Sequence, residues 1–472
     1  MVNIATSNNE ADFTPTKRFF VEMLTRDIDL EDAILDLLDN CLDGVARSQK
    51  KDPEDINYKN YKVDISFDSK KFTIIDNCGG IPLESADYAF RMGRPADAPV
   101  ENLATVGVYG IGMKRSIFKI GRHCIINTHH HEDEGFSVII NDEWLSSDLN
   151  WRIPIQRTVF PLQDNGTSIE ISNIQPAVSA KFKNKAFQVN LINKIIFAYS
   201  YIIAKGFEVK VNGQIINPVP VSLRFENSLD ENSRAIQPYI YTGTIDGVDV
   251  KLIVGFYAPL VSEKEEEEEK SFARYDTKNA GWTIVCNDRI VVYRDKSELT
   301  GWGTDFARYH TQFIAISGIV YFKSREPEKL PITTTKRGVD VSSPLFLKVR
   351  KHIIEGTKLF IDYTNKWKGE DLIKSSNSRL EKSEVASPLE VIEHFEKNNA
   401  SNWVNVKNRT TEKKFKPLLP TPNTTSPRRN ISFSKSSDAV ETVAEFLNLD
   451  DGYTYNQVGE ACFDYVHTEA IK

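Results

Sequence analysis

Three short runs in this 472-residue chain hold residue types that could act on a charged ligand. In DLLDNCLDG, residues 36–44, Asp36, Asn40 and Asp43 recur at i, i+4 and i+7 and share one face of a helix. In DNCGGI, Asp76 ends an apolar run, and a Gly-Gly turn lets backbone approach a flat ligand closely. In GVYGIGMK, Gly107, Gly110 and Gly112 precede a helix start, with Lys114 just beyond. Free N–H groups and the helix macrodipole favour an anion there. The spacing is neither the GxxxxGK[ST] of a P-loop nor a dinucleotide GxGxxG following a strand.

The first run needs a helix, and DLEDAILDLLDNCLDGVARSQKK supplies one. Asp29 is a fair N-cap, carboxylates fill the first turn and lysines gather at the far end. Ile34, Leu38, Cys41, Leu42 and Val45 form one apolar stripe, so the polar stripe alone reads as the wet side of a surface helix. Strand-like runs YKVDISFD and KFTIID follow. Residues 83–112 then read as a short helix and a Gly/Pro/Ala-rich connector of lid length. Further strands are expected at HCIINTHH, FSVIIN and TSIEIS, with a helix near 186–205 and a strand-turn at FEVKVNGQIINP. A second strand-rich block, roughly 220–370, ends in the helix SPLFLKVRKHIIEGTKLFIDYTNKW. Residues 371–428 are polar and carry PLLPTPNTTSPRRN, a linker composition. The tail reads as strand, helix, helix, with Ile431 and Phe433 on one side of the strand.

Composition excludes more than it identifies. Hydrophobic residues make up 40% and charged residues 26%, and the net charge of -7 leaves nucleic-acid contact only to local basic patches. No run approaches the ~18 apolar residues of a membrane span. The N-terminus lacks a secretory h-region, and five scattered cysteines without a CxxC pair suggest reduced thiols; both point to the cytoplasm. His129–His131 and the EKEEEEEK run at 263–270 read as solvated loops.

The order DLLDNCLDG, DNCGGI, GVYGIGMK, NGTSIEI resembles the four nucleotide-binding motifs of the GHKL superfamily. That superfamily includes gyrase, MutL, the large heat-shock chaperones, histidine kinases and the MORC ATPases. The resemblance covers about 15–215, and the block after it resembles the transducer of the MORC/MutL-like branch. It implies an α+β fold class: a GHKL (Bergerat) α/β sandwich with a mixed sheet, an S5-like transducer and a small strand-helix-helix module. The expected boundaries are 1–218, 219–370, a flexible linker over 371–428, and 429–472.

The resemblance also implies roles and ligands, ATP and Mg²⁺. Asn40 matches the Mg²⁺-holding asparagine, Asp76 the acceptor of the adenine amino group, Gly80 the glycine beneath the ring and Thr167 the threonine near the adenine edge. Gly107, Gly110 and Gly112 match the lid glycines around the phosphates, and Lys114 stands where a cation can neutralise them. Lys336, in LPITTTKRGVD, matches the transducer lysine that reaches the γ-phosphate. Two positions depart from the pattern. Asp36 stands where a glutamate base is usual, one methylene shorter, which leaves slow hydrolysis, another carboxylate such as Asp39, or none. Cys78 replaces the first glycine of DxGxG.

The expected function is a nucleotide-gated ATPase clamp that dimerises on ATP, in a DNA-transaction or anti-phage setting. The rival is a slow or non-hydrolysing nucleotide sensor that recruits an effector protein. A histidine kinase is disfavoured because nothing before residue 15 could supply its phospho-accepting helix, and a complete topoisomerase because no cleavage domain follows. The tail could dimerise, dock, or contact nucleic acid through Arg428 and Arg429.

Overall fold

The computed structural model describes residues 16–23, 25–93, 105, 110–131, 135–147, 150–157, 165–228, 234–261, 279–398, 403–406, 411–422, 431–449 and 452–471. These form two units, Met1–Thr421 and Pro422–Lys472. The larger unit is α+β and built on two mixed sheets.

The first half of that unit contains α1 (Lys17–Glu22), α2 (Leu30–Gln49), β1 (Lys62–Phe67), β2 (Phe72–Asp76), α3 (Ala86–Phe90) and α4 (Gly112–Ile120). It continues through β3 (Gly121–His129), β4 (Phe136–Ile140), α5 (Asp142–Ser146), β5 (Ile155–Arg157), β6 (Gly166–Ile174), α6 (Pro176–Phe182), α7 (Lys185–Ala204), β7 (Glu208–Val211) and β8 (Gln214–Ile215). The strand order is β5-β4-β3-β6-β2-β1-β7-β8, antiparallel except for the parallel pair β1–β7. In β1 every second residue is buried, so one face of the sheet meets the helices and the other meets water.

Helices α2 and α7 lie in the same core as Ile65, Ile74, Ile126 and Ile171 of the sheet. Asp29 does sit at the N-cap of α2, but its side chain makes no cap hydrogen bond. Helix α7 is long and apolar enough to cross a membrane by composition, yet Phe187, Leu191, Ile195, Tyr199 and Ile202 are buried in this protein core. A helix was expected near 186–205, and Asn190, Asn193 and Lys194 interrupt its apolar run.

The second sheet contains β9 (Leu223–Phe225), β10 (Tyr239–Ile245), β11 (Val248–Phe256), β12 (Gly281–Cys286), β13 (Arg289–Asp295) and β14 (Ile316–Lys323). Its main order is β13-β12-β14-β11-β10-β17-β16, with β9 on β11 and β15 on β9. Strands β15 (Glu384–Ala386), β16 (Trp403–Asn405) and β17 (Lys413–Phe415) lie where a flexible linker was expected. So do helices Glu370–Glu381 and Pro388–Asn398. The polar average of 371–428 masks an apolar cluster, Val391, Ile392 and Phe395, that covers one sheet face. Helix Pro344–Lys366 covers the other through Phe346, Val349, Ile353 and Phe360. Every residue of β12 and β14 is consequently buried, in keeping with their mainly apolar sequences. The acidic 263–270 run and half of the expected lid, 94–104 and 106–109, lie outside the described residues.

The smaller unit pairs helices Ser437–Phe446 and Tyr455–Ala470, the second opened by a Thr454–Gln457 capping box. Phe446 and Tyr465 meet edge to face at 5.5 Å. Residues 431–436 carry no strand, and among the described residues none pairs with the alternating Ile431 and Phe433.

The two sheets are joined by the β12–β13 hairpin tip. Asn287 and Asp288 both take positive φ, 44° and 69°, as a two-residue primed hairpin turn requires. The turn sends Asp288 into the first half, where its carboxylate meets Lys205 (3.1 Å), Lys323 (2.6 Å) and the Tyr58 hydroxyl (3.0 Å). Burial pushes the Asp288 carboxyl up, but the two ammonium groups outweigh it and leave it below its ordinary value. Asp288→Ala removes the carboxylate shared by two partly desolvated lysines. It is expected to cost about 3–5 kcal/mol in denaturant unfolding. Because the folded carboxyl titrates below the unfolded one, its contribution is complete above about pH 4 and fades as pH falls through the folded value. The acid limb of the stability curve should therefore be shallower in Asp288→Asn.

Candidate functional site

A cavity of about 440 Å³ opens beside α2, β2 and α4, and its wall includes Thr334 and Lys336 from the second half. Of the ten residues singled out from sequence, nine line it: Asp36, Asn40, Asp76, Gly80, Gly110, Gly112, Lys114, Thr167 and Lys336. Gly107 lies outside the described residues.

The first group gathers where β2 ends. Burial raises the Asp76 carboxyl above its ordinary value, although hydrogen bonds partly offset this. Its Oδ1 accepts from Cys78 N at 2.7 Å, and its Oδ2 from Cys41 Sγ at 3.4 Å. The chain then doubles back through Gly79 (φ 100°) and Gly80 (φ 68°). A Cβ on Gly80 would lie 2.1 Å from the His129 carbonyl oxygen, so the turn can exist only with glycine there. The Thr128 hydroxyl ties this turn to β6: it accepts from Ile81 N at 2.8 Å and lies 3.2 Å from the Thr167 hydroxyl. Cys78 is accommodated because its thiol turns into the core. The close contact is instead between its carbonyl and Gly44, where a Cβ would meet the oxygen at 2.6 Å.

The second group lies along α2 and the start of α4. The polar stripe is not a wet face. Asp36 and Asp43 are buried, and α4 lies alongside α2. The Asp36 carboxylate accepts from Arg115 Nη2 at 2.8 Å, and a Cβ on Gly112 would come within 3.4 Å of the same oxygen. The Asn40 amide nitrogen is buried and finds no hydrogen-bond partner among the described residues. An unsatisfied amide facing a cavity costs free energy unless something fills it. That nitrogen would suit an acceptor such as a phosphate oxygen, while the amide oxygen is the atom that would suit Mg²⁺, a hard cation that prefers oxygen ligands. Lys114 does not reach into open space: its Nζ donates back to the Gly110 carbonyl at 2.5 Å. Burial brings its ammonium down to about 8.

The third group crosses from the second half. Lys336 Nζ donates to Asp39 Oδ2 at 2.9 Å, while Arg289 Nε and the Tyr199 hydroxyl donate to Oδ1, each at 2.6 Å. Asp39 is completely buried. Desolvation raises its carboxyl, Arg289 and Lys336 lower it further, and the net shift is downward. With three donors engaging it and no exposure, Asp39 is a structural acceptor and poorly placed to replace Asp36 as a base.

Sequence reasoning missed Thr128, Arg115 and Arg289. Arg115 could have been found as a second cation in the first turn of α4. Arg289 carried a fainter signal, a charge directly after an Asn-Asp turn between two apolar strands.

Residues 28–160, from the start of α2 to just past β5, match the family described as histidine kinase-, DNA gyrase B-, and HSP90-like ATPase. No curated protein matches the chain. The family similarity supports an ATP-binding, ATPase-type function of the GHKL kind. It stops short of Thr167 and Lys336.

Gly80→Ala should destabilise the protein by about 2–5 kcal/mol, combining backbone strain with the clash at His129. Gly93 also has positive φ (84°), but a Cβ there meets nothing within 4 Å among the described residues. Gly93→Ala should therefore lose only about 1 kcal/mol, and denaturant midpoints compare the two.

Proposed function

We propose that this chain is a Mg-ATP-binding ATPase of the GHKL kind, in which nucleotide binding drives lid closure and dimerisation. The observation carrying this reading is the shared cavity. It is lined by all of Asp76, Thr167, Asn40, Gly110, Gly112, Lys114 and, from the other half, Lys336; in this reading the first two serve the adenine, Asn40 Mg²⁺, and the rest the phosphates. The orphaned Asn40 amide fits a site that is completed by a ligand.

When bound, Mg²⁺ would neutralise phosphate charge next to Asn40. Asp36 is the base in this reading: it would take a proton from water as the water oxygen bonds to the γ-phosphorus and the bond to the β–γ bridging oxygen breaks, releasing ADP and phosphate. Arg115 now holds that carboxylate, so turnover requires the pair to loosen or reorient.

The same ion pair favours a second reading, a nucleotide sensor with little turnover that recruits a partner effector. Phosphate release by the wild type and by Asp36→Ala, with sizing in non-hydrolysable ATP, separates the readings. Turnover lost in Asp36→Ala, together with an ATP-dependent dimer, is expected of the ATPase. Binding without turnover in either protein would establish the sensor, and absence of both binding and dimerisation would exclude both.

Lys114 adds a pH signature. Its ammonium is charged below about pH 8 and neutral above, so ATP affinity should weaken as pH rises from 7 to 9. In Lys114→Met that step should disappear from a titration of bound nucleotide.

A further inference from the structure

The cavity lysine does not hold its own position. Lys336 adopts the left-handed region at φ 57°, an uncommon conformation for a side-chain-bearing residue, and it is the last donor of a tight turn, its N–H bonding Thr333 O at 2.8 Å. Two outside contacts hold that conformation. Arg289 Nη1 donates to the Lys336 carbonyl at 2.8 Å, and Lys336 Nζ reaches Asp39 Oδ2 at 2.9 Å. The ring is closed by Arg289 Nε on Asp39 Oδ1 at 2.6 Å.

Arg289 therefore grips Lys336 at the backbone and, through Asp39, at the ammonium. All three side chains are at least mostly buried, with Arg289 5% and Asp39 0% exposed, so water cannot substitute for a lost member. Arg289 also sits at the hairpin tip beside Asp288, at the junction of the two halves. Asp39 directly precedes Asn40 on α2.

We infer that Arg289 is the positioning residue for Lys336. It presents the lysine to the cavity through two separate N–H groups of its fork, one on the Lys336 carbonyl and one on Asp39. It touches no ligand itself. The inference rests on the reading of the cavity as a nucleotide polyphosphate site. It adds a chemical requirement: a single ammonium cannot reach two acceptors with the fixed geometry of a guanidinium, so lysine at 289 keeps the charge and loses the function.

The test measures ATP and ADP dissociation constants for the full chain with Mg²⁺, in wild type, Arg289→Lys, Lys336→Ala and the double variant. Melting temperatures are read on the same samples. The expected result is an ATP-over-ADP preference in the wild type that falls about tenfold or more in Lys336→Ala and by a similar factor in Arg289→Lys. The double variant should lose no more than either alone, and ADP affinity should change little. A purely structural role would lower ATP and ADP affinity together, or lower melting with the preference intact, and would overturn the inference. Should Arg289→Lys be unfolded, Arg289→Gln, which keeps a planar amide donor but cannot span both acceptors, is read at reduced temperature against the same criterion. A wild type that binds ATP with a preference dependent on Lys336 but indifferent to Arg289 sinks this inference alone. A wild type that binds neither nucleotide sinks the cavity reading and this inference together.

Discussion

One buried carboxylate organises the larger unit. Asp39 lies on α2, within the first sheet's core, yet two of its three donors, Arg289 and Lys336, come from the second half. A fully desolvated charge is tolerable only when its partners are in place, which makes this contact a condition on the whole assembly. The hairpin tip must enter far enough to bring Arg289 to α2, and the loop after β14 must fold back far enough to bring Lys336. Asp288 repeats the arrangement in the opposite sense, a carboxylate from the second half held by Lys205 of the first and Lys323 of its own sheet. The halves are thus joined by two interlocked charge clusters and not by apolar contact alone.

That junction is where the candidate site stands. Asn40 follows Asp39 by one residue, and Asp36 precedes it by three, one turn earlier on the same helix. Any change in the grip on Asp39 is felt by the residues that would meet a polyphosphate. Asp36 is itself committed to Arg115, and Lys114 to a carbonyl of its own turn. A charged ligand that draws on Asp36 or Lys114 must therefore exchange partners with the protein rather than fill an empty electrostatic slot. Such exchange is a physical basis for a switch, since each new contact releases an old one.

Much of the fold was legible in residue patterns. The long amphipathic helix, the strands on both sides of the Gly-Gly turn, and the strand-rich second block with its closing helix stand close to expectation. The segment after residue 370 did not. Its average is polar, but a cluster as small as Val391, Ile392 and Phe395 suffices when a sheet face lies waiting for it. At the other end, Ile431 and Phe433 have the alternation of a strand, but among the described residues no strand pairs with them.

The sequence by itself determined which residue types stand together along the chain: an asparagine and carboxylates on one helical face, an aspartate before two glycines, glycines before a helix start. Local spacing encodes these because helix and turn geometry are set by neighbours within a few residues. Only the tertiary structure decided what each group faces. It turned the expected wet stripe of α2 inward, spent Asp36 on Arg115, and brought Arg289 across 250 residues to Asp39. Those outcomes depend on which surfaces are driven together by burial, and a charge enters such a surface only where a distant partner arrives to meet it.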